Sequence, residues 1–214
     1  MPLWKPDKRW TGADVFVIGG GKSLSGFDFT LLRGRNTIGC NAAFKLGADV
    51  CNVCFFSDLP WYHSFKEELA KFPGDVITHC PSLMVKGAGI PWLKNLPRQK
   101  RGLFPNVVGF GGNSGCSAVS LSLVMGAQRV FLLGMDCKAD TSVDAHWHQW
   151  TTQGINMKVF PKFLEGWQAI ATDLPRVFPG REIINLNPES SIPFFPKAEF
   201  SQYLSHATDN RIAS

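Results

Sequence analysis

GFGGNSGCSAVSLSLVMGAQRVFLLGMD, Gly109 to Asp136, is the stretch that decides the fold. Its glycines lead into a helix of about 12 residues, Ser114 to Met125, by apolar pattern and start signals. Gly126 closes that helix, since glycine adopts the left-handed backbone past a helix end without steric penalty. The apolar run Arg129 to Leu133 then reads as a strand, with Asp136 just beyond it. A helix feeding straight into a buried strand is half of a βαβ unit, which implies a parallel pairing and a right-handed crossover.

Upstream, DVFVIGG (Asp14 to Gly20), NTIGCN (Asn36 to Asn41) and DVCNVCFFSD (Asp49 to Asp58) read as strands. Their continuous apolar character suits strands covered on both faces, as in a parallel sheet. DVITH (Asp75 to His79) and NVVGF (Asn106 to Phe110) are weaker strand candidates. Phe160 to Asp173 reads as a helix and REIINLN as the last strand. The alternation predicts an α/β fold with a Rossmann-like, doubly wound, mostly parallel sheet. One domain over residues 1–214 is expected. The polar or Pro/Gly-broken stretches 81–105 and 139–161 are expected as a lid-like insertion or acceptor loops.

Composition narrows the function. With 44% hydrophobic and 18% charged residues the chain is an ordinary globular one, not a disordered segment. No apolar run reaches the roughly 18 residues of a membrane span, and nothing apolar follows the basic start, so a cytoplasmic protein is expected. The net charge is +5, with loose basic clusters at Lys5, Lys8 and Arg9, at Arg33 and Arg35, and at Lys94, Arg98, Lys100 and Arg101. These are either solvated surface or an attraction for phosphate, of a nucleotide or of a nucleic-acid backbone. Cys51 and Cys54 form a lone C-x-x-C with no second pair, so the cysteines read as buried thiols.

GGGKS, Gly19 to Ser23, follows the first strand. It is not a P-loop, because Phe16 stands where the leading glycine belongs; it is not a dinucleotide fingerprint, because Leu24 replaces the third glycine. Consecutive glycines let backbone N–H groups of Gly20 and Gly21 approach an anion, while Lys22 adds charge and Ser23 a hydroxyl donor. The alternative is a plain tight turn. Asn41 ends the second strand, where an amide suits a base or ribose hydroxyl, or merely caps the strand. Ser57 and Asp58 end the third. Asn113, Ser114 and Gly115 open the long helix, whose free N–H groups favour phosphate, with Ser114 as a simple N-cap the other reading. Asp136 is expected to contact the ligand.

GGGKSL, CN, FFSDLPW and the Gly111-to-Asp136 run together resemble the MptE-like (6-hydroxymethylpterin diphosphokinase-like) family and the related bacterial sialyltransferases. The resemblance covers Asp14 to Asp136. It implies a nucleotide donor: a CMP-sugar in the sialyltransferases, ATP in the diphosphokinases. By position, Gly20 and Gly21 would contact phosphate, Asn41 and Ser57 donor hydroxyls, and Ser114, Gly115 and Asp136 the nucleoside. The sialyltransferase loop reads Asn-Gly-Pro-Ser where this chain has Gly20, Gly21, Lys22 and Ser23. Those enzymes also carry a histidine base beyond the aspartate, and DAHWHQW supplies His146 and His148. Two apart, they share a face if the stretch is extended. They could be a base, a metal site lacking a placed third ligand, or lid packing with Trp147 and Trp150; His63 is a lesser rival.

The expectation is a glycosyltransferase-like enzyme moving a sugar or similar group to an acceptor hydroxyl of a glycan, a small molecule or a nucleic-acid base. Two alternatives stand beside it: Mg²⁺-dependent diphosphoryl transfer from ATP, with Asp58 or Asp136 on the metal, and a non-catalytic nucleotide- or DNA-binding module. Sequence leaves the oligomeric state open.

Overall fold

A computed structural model of the chain describes residues 3–86, 90–97, 99–139, 146–150 and 156–203. Of the two stretches expected as lid or acceptor loops, residues 87–89, 98, 140–145 and 151–155 lie outside the described ones.

The sheet has seven parallel strands: β1 (Asp14–Ile18), β2 (Asn36–Cys40), β3 (Val53–Phe56), β4 (Asp75–Thr78), β5 (Leu93–Asn95), β6 (Arg129–Leu133) and β7 (Glu182–Asn185). Their spatial order is β5-β4-β3-β2-β1-β6-β7. Strands β2 to β5 extend to one side of β1, and β6 and β7 to the other. The order therefore reverses between β1 and β6, which is where such sheets open a crevice at their carboxyl ends. The helices are α1 (Leu59–Leu69), α2 (Pro81–Lys86), α3 (Ser114–Val124) and α4 (Phe160–Val177).

Alternation along the strands builds two cores. Val15, Val17, Ile38, Val130 and Leu132 pack with α3 and with Trp167 and Ile170 of α4. Phe16, Ile18, Phe131 and Leu133 face the opposite side and meet Leu24 and Leu32 from the 3-10 turns after β1. Every residue of α3 is buried, so it is enclosed all round rather than amphipathic. Two of its serines are answered locally: Ser122 Oγ donates to the Ala118 carbonyl at 2.9 Å, and Ser120 Oγ accepts from Gly109 N–H at 2.8 Å, whereas the buried Ser117 Oγ has no hydrogen-bond partner. Met125 is its C-cap and Gly126 follows at φ 107°.

Two sequence expectations change. NVVGF is not a strand: Gly109 turns against α3, and Phe110 N–H bonds back to the Lys100 carbonyl. The edge strand is instead the three-residue Leu93–Asn95, too short for alternation to reveal. In the basic clusters, Arg9, Arg33, Lys94 and Arg101 have acidic partners: Arg9 pairs with Asp7 and Asp75, Lys94 with Asp75, Arg33 with Asp49 and Arg101 with Glu165. The second change is that the helix expected over Phe160 to Asp173 runs on to Val177.

All six cysteines are free, and Cys51 and Cys54 are fully buried. Burial pushes the Cys51 thiol up to about 12. None of the helices among the described residues is long and apolar enough to cross a membrane.

Gly166 of α4 sits where an added Cβ would fall on the Gly111 carbonyl oxygen. Alanine ordinarily favours a helix interior over glycine by about 1 kcal/mol. Here Gly166→Ala is expected to do the reverse and destabilise by about 1–3 kcal/mol, through overpacking. Thermal unfolding checks the sign.

Candidate functional site

A cleft of about 510 Å³ opens over the carboxyl ends of the strands. Of the residues singled out in the sequence, Gly20, Gly21, Asn41, Ser57, Asp58, Asn113, Ser114, Gly115, Asp136 and His146 line it. Lys22, Ser23 and His148 do not, and His63 lies on the exposed side of α1.

The glycine loop is held by the neighbouring strand end. Gly19 N–H donates to the Leu133 carbonyl at 2.7 Å, and Gly21 N–H to the Gly134 carbonyl at 2.8 Å. The Ser23 hydroxyl, expected to face an anion, donates to the Asp136 carboxylate, as does Ser23 N–H at 2.8 Å. Asn187 Nδ2 adds a third donor to that carboxylate at 2.8 Å. Asp136 thus ties the loop to β6 and to the turn after β7. None of Gly19, Gly20 and Gly21 has positive φ; the loop needs glycine for close approach. A Cβ on Gly21 would strike the Asp136 carboxylate, and one on Gly20 would stand 2.7 Å from His146 Nδ1.

Helix α3 brings its N-terminus to the same cleft. Asn113, not Ser114, is the cap: its Oδ1 accepts from Cys116 N–H at 2.9 Å. The Ser114 hydroxyl is left for Ser57, donating to its Oγ at 3.3 Å. Asn41 is left-handed, with φ 52°, and its buried Oδ1 has no hydrogen-bond partner. Cys137 after β6 is the other positive-φ non-glycine among the described residues, and both line the cleft. Such backbone outliers concentrate where ligands are held. The Asp58 carboxyl is raised from its ordinary range by desolvation.

Residues 146–150 lie across the glycine loop. Gly21 and His146 form an antiparallel bridge, Trp147 N–H donates to the Gly20 carbonyl at 3.1 Å, and Trp147 Nε1 to the Gly19 carbonyl at 3.0 Å. His146 Nδ1 lies 3.2 Å from the Gly20 carbonyl oxygen. A carbonyl only accepts, so Nδ1 carries a proton, and the tautomer this selects for an uncharged ring has its lone pair on Nε2. His148 stacks behind it, 5.4 Å away and 4° from parallel, and Trp150 stacks on His148 at 4.9 Å. Burial, with the nearby His146 second, lowers the His148 pKa from 6.5 to about 4. Its Nδ1 is buried without a hydrogen-bond partner.

Several cleft residues escaped the sequence reading. Phe110, Val159, Phe160 and Phe163 make one side apolar, and Lys138 adds a cation. His79, 1% exposed, lines the floor with Nε2 at 2.9 Å from Ser57 Oγ. Asn187 joins Asp136 from 51 residues away, beyond any local pattern. Among the described residues no group of three His, Cys, Asp or Glu could hold a metal ion.

No family model matches the chain, and no curated protein does. Its fold is found in solved structures. The sialyltransferase CstII from Campylobacter jejuni in complex with cytidine-5′-monophosphate aligns with a TM-score of 0.55 at 12% identity, over 86% of this chain and 84% of that one. The same enzyme with CMP-3FNeuAc gives 0.52 at 13% identity, over 86% of each. At this identity the likeness shows a shared fold.

Two outcomes follow from the geometry. Asp136→Ala strands the donors of Ser23 and Asn187 and should destabilise by about 1–3 kcal/mol, lowering Tm by several degrees in a thermal scan. His148 is held neutral, so the stability it contributes is present above pH 6.5 and falls away toward pH 4. His148→Phe keeps the ring stack and should flatten the fall in Tm between pH 7 and 5; an equally steep fall would exclude His148 as its source.

Proposed function

We propose that the protein is a nucleotide-dependent transferase that moves a sugar or similar group from a nucleotide donor to an acceptor hydroxyl. The observation that carries this reading is His146: its Nδ1–H is tied to the Gly20 carbonyl at the cleft, which leaves a basic Nε2. An imidazole in that tautomer is equipped to take a proton from a hydroxyl. The fold shared with a CMP-bound sialyltransferase supports a nucleotide donor, and a CMP-sugar in particular.

In this reading the N-terminus of α3, at Asn113, Ser114 and Gly115, carries the phosphate. Its unpaired N–H groups and partial positive charge stabilise the departing phosphate as charge develops there. Lys138 supplies further positive charge to the cleft. Gly20 and Gly21 shape the phosphate side of the cleft, and the orphan Oδ1 of Asn41, with Ser57, takes donor hydroxyls. His146 removes the acceptor proton. His148 acts behind it as a stacked support. The apolar side at Phe110, Phe160 and Phe163 receives the acceptor, be it a glycan, a small molecule or a nucleic-acid base.

In the alternative, diphosphoryl transfer from ATP, Mg²⁺ would fall to Asp58, since the Asp136 carboxylate is already engaged by Ser23 and Asn187. Thermal-shift titration with CMP-, UDP- and GDP-sugars, CTP and ATP, with and without chelator, tests the donor. Stabilisation by a CMP-sugar, insensitive to chelator, is expected; stabilisation by ATP alone, abolished by chelator, would favour the diphosphokinase. No turnover from any stabilising donor would favour a binding module. With a donor and acceptor in hand, His146→Ala should lower kcat about 10²–10⁴-fold, with donor Kd changed little, because the acceptor proton moves only in the transition state. Full turnover in that variant would remove His146 from the chemistry.

A further inference from the structure

His79 has no part in the transfer proposed above, yet its ring is enclosed in the cleft floor. It follows β4 and stands edge-on to Phe55, with centroids 5.2 Å apart at 90°, and to Phe110, 5.4 Å apart at 68°. A phenylalanine would fill such a slot without the desolvation cost of two ring nitrogens. What the imidazole adds is its bond to a hydroxyl of the cleft, with Nε2 2.9 Å from Ser57 Oγ. Ser114 Oγ donates to the same Ser57 oxygen at 3.3 Å. The end of β3, the end of β4 and the start of α3 thus contribute one hydroxyl–hydroxyl–imidazole chain, and all three side chains border the cleft.

Counting protons restricts what this chain can bind. Ser57 and Ser114 bring one hydroxyl proton each, and that of Ser114 goes to Ser57. Ser114 therefore offers a ligand only lone pairs. Ser57 offers a lone pair or a proton, according to the direction of its bond with His79. A ligand hydroxyl both donates and accepts, so it matches the chain in either direction. A phosphate oxygen only accepts and finds no donor in the Ser114 hydroxyl, so it is left to the main-chain N–H groups of the helix start. The chain suits a sugar hydroxyl.

We propose that His79 is a positioning residue that, through Ser57 and Ser114, selects the donor nucleotide by its ribose hydroxyls. This rests on the nucleotide-transferase reading and adds to it the feature by which the nucleotide is told from its deoxy counterpart. His79 does not touch the donor; it holds the rotamer and the proton of Ser57, and without it that hydroxyl can turn from the ligand.

The test is titration calorimetry of the full chain with CMP and with 2′,3′-dideoxy-CMP. The wild type should prefer CMP by about tenfold, the worth of one or two net hydrogen bonds. His79→Phe keeps the packing between Phe55 and Phe110 and should lower the ratio severalfold, leaving only the share that Asn41 holds. His79→Gln, whose amide can still bond Ser57, should restore most of the preference. Ser57→Ala, which leaves the buried ring in place, should lose it as His79→Phe does. A purely structural role would weaken both nucleotides alike and leave the ratio intact. An undiminished ratio in folded His79→Phe, or in Ser57→Ala, overturns the proposal and spares the transferase reading. A wild type that binds neither nucleotide overturns both.

Discussion

A carboxylate can be buried among protein groups only where donors answer its oxygens, because the lost hydration is otherwise uncompensated. Asp136 meets that condition by drawing on two distant segments, Ser23 after β1 and Asn187 after β7. One charged group thereby joins the ends of β1, β6 and β7 on the side where the sheet order reverses. The turn after β7 reinforces it, with Ser190 Oγ donating to the Met135 carbonyl and Ser191 N–H to that of Asp136. The loop can come this close only without side chains, which is why Gly19 and Gly21 are needed although neither has an unusual φ. With those N–H groups turned to β6, the Gly20 carbonyl is left to orient His146. The geometry of the imidazole thus descends from the buried carboxylate.

The two histidines of that segment share a sequence motif and a face, but their surroundings divide them. His146 borders the cleft and has a defined tautomer; His148 is pressed between its neighbour and Trp150, where burial and the adjacent ring disfavour its charged form. Keeping the rear ring neutral spares the front one a like charge at stacking distance. The same logic of sparing applies across the cleft, where the polar strand ends face an apolar side built from Phe110, Phe160 and Phe163.

Much of this was legible in the sequence, for identifiable reasons. The βαβ unit announces itself because α3 is long, apolar and closed by a glycine, and the crevice because polar residues stop the apolar runs at Asn41, Ser57 and Asp136. The shared face of His146 and His148 follows from their spacing. What stayed hidden depends on contacts far apart in the chain. Nothing near Ser23 says that its hydroxyl belongs to a carboxylate 113 residues away, and nothing in DVITHC marks His79 as the partner of Ser57. Asn113 and Ser114 are both good caps, so local chemistry could not rank them. NVVGF has strand-like composition, yet Gly109 lies where the Gly102 carbonyl leaves no room for a Cβ, and the segment folds onto α3 instead.

The segment bearing His146 hangs from the glycine loop by main-chain bonds, whereas the apolar side of the cleft is carried by α4 and the stretch before α3. Inheritance can act on the two separately. Backbone attachments survive most side-chain replacements, so the spacing between loop and imidazole is set by main-chain bonds, while each phenylalanine opposite can be exchanged singly. A lineage built on this scaffold is free to vary the apolar wall of the cleft without disturbing where the imidazole stands.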